Sequence, residues 1–114
     1  MRIILNADTE MKRIKGLMHH SPLEKDECAF FDAQREGKHS FWNKNVDFPI
    51  SLIFCDANNK VVDIKYLEAQ QTQSVSSESY NAKYIIEAHK DAPKLYGINS
   101  GSVMVKQHDE VLFQ

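Results

Sequence analysis

The sequence predicts a mainly β fold, a β-sandwich or partly open barrel of short, mostly antiparallel strands with one or two short helices. Three observations predict it. Short apolar or alternating runs recur along the chain, turn residues punctuate them, and helical periodicity is confined to one stretch near the start. With 114 residues the chain reads as a single domain, 1–114, since two cores of useful size would not fit.

Each element has its own signal. Arg2 to Asn6 reads as a first strand. Asp8 then offers an N-cap, Met11, Ile14 and Met18 repeat at helical spacing, and Gly16 near the helix end suits a left-handed cap. Ser21-Pro22-Leu23-Glu24 has the pattern of a capping box with proline at the first helical position, which predicts a further helical turn. Cys28 to Phe31 and His39 to Trp42 read as strands on either side of a polar loop.

Ser51 to Asp56 is apolar on both faces, the mark of a central, covered strand. Ala57-Asn58-Asn59-Lys60 is turn chemistry, so Val61 to Leu67 should return as a hairpin, with Val62, Ile64 and Tyr66 on one face. Glu68 to Tyr80 is rich in Gln and Ser and reads as a long surface loop. Ala82 to His89 alternates again, with Tyr84, Ile86 and Ala88 opposite Lys83, Ile85, Glu87 and His89. Asp91 to Tyr96 predicts a helical turn around Pro93. Ser102 to Lys106 and Val111 to Phe113 would close the sheet.

Charge excludes some functions. A formal net charge of −2 gives no general attraction to phosphate backbones, so nucleic acid is not an expected partner. Lys12, Arg13 and Lys15 cluster, but cations in the last turn of a helix also favour its dipole. No apolar stretch has transmembrane length, and the start does not read as a leader, so the expectation is a cytoplasmic protein without membrane contact. Cys28 and Cys55 match no metal or redox spacing and read as small core residues.

At this point the chain resembles a known family, the small domain of unknown function DUF192. Gly16-Leu17-Met18 with Leu23, then Cys28-Ala29-Phe30-Phe31, follow its pattern. The hallmark Phe-Trp-Met-Lys-Asn-Thr is met by Phe41-Trp42-Asn43-Lys44-Asn45-Val46. The strand Pro49-Ile50-Ser51-Leu52-Ile53-Phe54-Cys55-Asp56 comes next, and later Ala82 to Glu87 and Gly97-Ile98-Asn99-Ser100-Gly101-Ser102. The resemblance implies a compact, mostly β fold and brings no established activity. Asn43 stands where methionine is usual, Ser51 where aspartate is usual, and Asp91 near a common glycine.

The candidate site is Trp42, Asn43, Lys44, Asn45 and Glu87, joined by Met18. Trp42 offers a flat face for a sugar or base, and Asn43, Lys44 and Asn45 offer directional hydrogen bonds. Glu87 lies in an apolar strand and would need a partner if buried, which Lys44 could supply. The structural alternative makes Trp42 core, Asn45 a turn residue and Lys44–Glu87 a fastening between strands. No catalytic motif and no metal-ligand spacing is present, and no cofactor is expected. The five histidines are scattered, and Glu87 with His89 merely share a strand face.

The expected function is therefore a non-enzymatic module that binds a polar small molecule, saccharide- or nucleotide-like, as a monomer or weak dimer. The alternatives are a protein–protein interaction module using an exposed strand edge or the 68–80 loop, and a hydrolase with an unrecognised site.

Overall fold

The computed structural model describes all 114 residues. Nine strands and two helices follow in the order β1 (Arg2–Ala7), α1 (Glu10–Lys15), β2 (Glu27–Gly37), β3 (Ser40–Phe41), β4 (Ile50–Cys55), β5 (Val61–Leu67), β6 (Val75–Ser76), β7 (Ala82–His89), α2 (Ala92–Leu95), β8 (Met104–Gln107) and β9 (Glu110–Phe113). The apolar run of β4 organises them. All six of its residues are buried, which requires cover on both faces of the sheet and a strand on each edge. β5 pairs on one edge through a turn in which Asn59 takes a φ of 67°, and β7 pairs on the other.

The main sheet runs β5-β4-β7-β2-β1-β9-β8. Every neighbouring pair is antiparallel except β1 with β2. Parallel neighbours need a crossover connection, and this one carries α1 across the outside of the sheet. The sheet curls until its two end strands meet at one end. Lys60 and Val103 form an isolated bridge, and the Val61 N–H donates to the Ser102 carbonyl at 2.8 Å. The result is a half-barrel, with β3 and β6 forming a small second sheet.

Two apolar clusters occupy the two faces. Val61 of β5 and Met104 of β8 belong to one cluster with Cys28, Phe30, Ile53, Ile86 and Val111. Strands from opposite ends of a sheet share a cluster only on the inside of a curl, so this is the barrel interior. Ala92 of α2 helps to cap it. On the outer face, Ala29, Phe31, Leu52, Phe54 and Ile85 are covered by Leu17, Leu23, Val46 and Phe48. Burial of each large aliphatic or aromatic side chain here contributes about 1.5–3 kcal/mol.

Four expectations are corrected. The residues at Ser21 to Glu24 form no helical turn; the Glu24 N–H is taken by the Glu27 carboxylate at 2.8 Å, which ties the segment to the start of β2. The N-cap of α1 is Thr9 and not Asp8: the Thr9 hydroxyl accepts from the Lys12 N–H at 3.1 Å, while Asp8 pairs with the Lys12 ammonium at 3.2 Å. The helical spacing of Met11 and Ile14 does not mark a core face, since both are exposed, at 77% and 65%. A helix of six residues buries none of them, and Leu17, just beyond it, does the packing.

The fourth correction concerns β5. A register irregularity opposite Phe54 and Cys55 sends Val62 to the outer cluster and Ile64 to the inner one. The 68–80 segment is also more ordered than a free loop. It contains β6, and Glu78 within it pairs with the Lys65 ammonium at 2.7 Å.

Candidate functional site

Phe41 ends β3 wedged edge-on between Phe31 and Phe54, with ring centroids 5.5 Å and 6.1 Å away. With one side chain anchored inward, the next points out. Trp42 is 45% exposed. Asn43 turns inward again and is 1% exposed. Its Nδ2 donates to the carbonyls of Phe48 and Glu68 at 3.0 Å and 2.9 Å, and its backbone N–H donates to the Gln71 carbonyl at 2.7 Å. Asn45 takes a φ of 62°, its N–H donates to the Gln70 side chain at 3.1 Å, and its carbonyl accepts from the His19 N–H at 2.9 Å. The corner 42–46 is thus locked from the 70–71 side and from the segment after α1.

Opposite the corner stands α1, ended by Gly16 at φ 51° with its N–H donating to the Lys12 carbonyl. Between the two walls lies a cleft of about 460 Å³. Glu10, Arg13, Ile14 and Lys15 form one side with Gly16 and Met18, and Phe41, Trp42, Asn43 and Lys44 form the other. The floor is the outer face of the sheet, where Phe31 and Glu87 line the cleft. Glu87 is placed there by register, between Ala29 on β2 and Leu52 on β4.

The electrostatics of the cleft turn on two groups. Glu87 is 4% exposed, and burial, with no hydrogen bond or cation to offset it, pushes its carboxyl up to about 8. It is therefore largely neutral at pH 7. The Nη1 of Arg13 is buried and has no hydrogen-bond partner. A buried polar atom without a partner costs about 1–3 kcal/mol, and Arg13 Nη1 carries that cost here.

Of the six residues singled out from the sequence, Met18, Trp42, Asn43, Lys44 and Glu87 line this one cleft, and Asn45 does not. The anticipated Lys44–Glu87 pair is not formed. The Lys44 ammonium lies 5.5 Å from the centre of the Trp42 ring instead. Trp42 is not core, and Asn43 is spent largely on holding the corner. His89 does not line the cleft, and its Nδ1 accepts the Asp91 N–H at 3.0 Å. Ser51, on the inner face of β4, donates to the His89 carbonyl at 2.9 Å. A carboxylate at that position would face away from the cleft, so its replacement by serine leaves the cleft unchanged.

Sequence reasoning missed Arg13, Gly16 and His39 as lining residues. The signal for Arg13 was present in the Lys12-Arg13-Lys15 cluster but was assigned to the helix dipole. His39 bonds the Arg35 carbonyl at 2.9 Å through Nε2 and carried no signal.

Fold and cleft together define a class: a half-barrel β domain with a small-molecule-sized cleft on its outer face. The chain belongs to the DUF192 family, described as an uncharacterized ACR, whose pattern matches residues 3–105. Two solved structures share the fold. A protein of unknown function from Novosphingobium aromaticivorans aligns with a TM-score of 0.77 and 22% identity over 84% of this chain and 69% of its own. A protein from Sinorhizobium meliloti, provisionally assigned as a transcription regulator, aligns with a TM-score of 0.78 and 22% identity over 84% of this chain and 74% of its own. No curated protein matches the chain. No helix is long and apolar enough to cross a membrane.

Proposed function

We propose that this domain is a non-enzymatic binding module for a polar small molecule, saccharide- or nucleotide-like, held in the cleft between α1 and the corner 42–46. The observation that carries the reading is the pairing of a half-exposed aromatic wall, Trp42, with a buried and unpartnered carboxyl, Glu87, across one cleft of about 460 Å³. That size falls within the roughly 300–1,000 Å³ typical of small-molecule sites. Trp42 would stack on a ring, and Glu87 would exchange a hydrogen bond with a ligand group.

The surface-interaction reading has less support. Residues 70 and 71 are spent on the protein's own corner, and β5 and β8 partly satisfy each other's edges.

Native mass spectrometry of gently purified protein tests the proposal. The expected result is an added mass that is lost on denaturation and absent from Trp42→Ala. An added mass retained by both Trp42→Ala and Glu87→Ala would place the ligand elsewhere and overturn it.

A further inference from the structure

The cleft's charge points to a narrower ligand class, an inference that rests on the cleft being the binding site. Three fixed cations line it, Arg13, Lys15 and Lys44, against one carboxylate, Glu10, at pH 7. Glu87 adds no charge there because burial keeps it neutral. The remaining titratable group facing the cleft is His39. A chain whose net charge is −2 therefore gathers positive charge around this cleft.

The two unpartnered groups say what kind of anion this is. Guanidinium is a planar, always charged donor that matches carboxylate and phosphate oxygens. The Arg13 Nη1 is already stripped of water and lacks an acceptor. A neutral carboxyl is the other donor, since its O–H can be given to an anionic oxygen that an ionised carboxylate would repel. Ile14, Phe41 and Trp42 supply an apolar wall beside these donors, which a bare inorganic ion would leave unused.

We infer that the cleft selects a ring-bearing organic anion, a sugar carboxylate or sugar phosphate, with Arg13 binding the anionic group, Glu87 donating a hydrogen bond to it and Trp42 stacking on the ring. The chemistry shared by the two sources is an anionic oxygen cluster on a sugar-sized ring, and the test distinguishes them.

The experiment is an amide and indole NMR titration of the full chain with glucuronate, glucose 6-phosphate, adenosine monophosphate and the neutral parents glucose and adenosine. At least one anion should shift the Gly16, Trp42 and Glu87 signals and bind roughly 10- to 100-fold more tightly than its parent, the range set by one charge-assisted hydrogen bond. The carboxylate and phosphate arms show which source is preferred. Arg13→Gln should remove most of that preference.

Affinity of the native chain for glucuronate, whose own carboxylate stays ionised throughout, should fall as pH rises from about 7 to about 9, as Glu87 loses its proton. Glu87→Gln, which keeps a donor but cannot ionise, should hold its affinity over the same range. A neutral parent binding the cleft as tightly as its anion overturns the anion inference and leaves the binding reading standing. Silence of the cleft signals to all five probes overturns both.

Discussion

The backbone of Gly16 passes directly over the carboxyl of Glu87: a Cβ at position 16 would lie 3.9 Å from Glu87 Oε1 and 3.6 Å from Phe31 Cζ. The capping residue of α1 is thus also part of the lid over the buried acid. A side chain at 16 would make ordinary contacts, so space is not what requires glycine. The backbone requires it, with a φ of 51° and a ψ of −131° that other residues adopt only under strain.

Gly16→Ala should therefore destabilise the fold by about 1–3 kcal/mol through the backbone alone. Urea unfolding of the variant checks this. An unchanged midpoint would show that the chain at 16 relaxes freely to another conformation.

Glu87 should make stability depend on pH with a definite sign. Its folded value of about 8 lies above the ordinary 4.5, so folded and unfolded chains are both protonated at low pH and the group contributes nothing there. Between 4.5 and 8 the folded chain holds a proton that the unfolded chain has lost, and stability falls as pH rises. Above 8 the full penalty applies, roughly 5 kcal/mol for a shift of this size. Glu87→Gln should therefore gain on the native chain as pH rises through this window. Denaturant midpoints of both proteins at pH 5, 7 and 9 measure it, and parallel curves would mean that the native carboxyl ionises normally.

Neighbouring residues should separate stability from binding. Asn43→Ala strands a buried carbonyl at Phe48 and a part-buried one at Glu68, and should cost about 2–4 kcal/mol. Trp42→Ala removes a half-exposed ring and a cation–π contact to Lys44, and should cost no more than about 2 kcal/mol. Thermal melts of the two variants give the ranking, and the reverse order would place Trp42 in the core.

Cys28 and Cys55 should be silent to thiol reagents in the native state. Both are fully buried in the inner cluster, and burial raises each thiol to about 12. β7 separates their strands, a gap of roughly 10 Å that no disulfide spans. A colorimetric thiol count should read none in buffer and both in denaturant. A native count above zero would show that the half-barrel opens.

Much of this was legible from local pattern. The continuous apolar run at β4 announced a strand covered on both faces, and the Asn59 turn and the alternation of β7 set the strands around it. Alternation held along β7, where a slip of one residue would exchange core and solvent faces, and failed in β5 at its register irregularity. Glu87 was conspicuous as an acid in an otherwise apolar strand, although the alternation grouped it with Lys83, Ile85 and His89. Patterning failed where elements were too short to bury a face: α1 carries a helical repeat that packs nothing, and Ser21 to Glu24 carries a cap without a helix behind it.

The sequence alone determined the mainly β class, the main strands and the family, because each is written in neighbouring residues. Only the tertiary structure decided what Glu87 and Arg13 are. One is placed by strand register and the other by a crossover helix 74 positions away in the chain (87 against 13), and burial and missing partners are properties of that convergence. Desolvation acts through space, so the unpartnered acid and guanidinium of the cleft exist only once the half-barrel has curled and α1 has crossed its outer face.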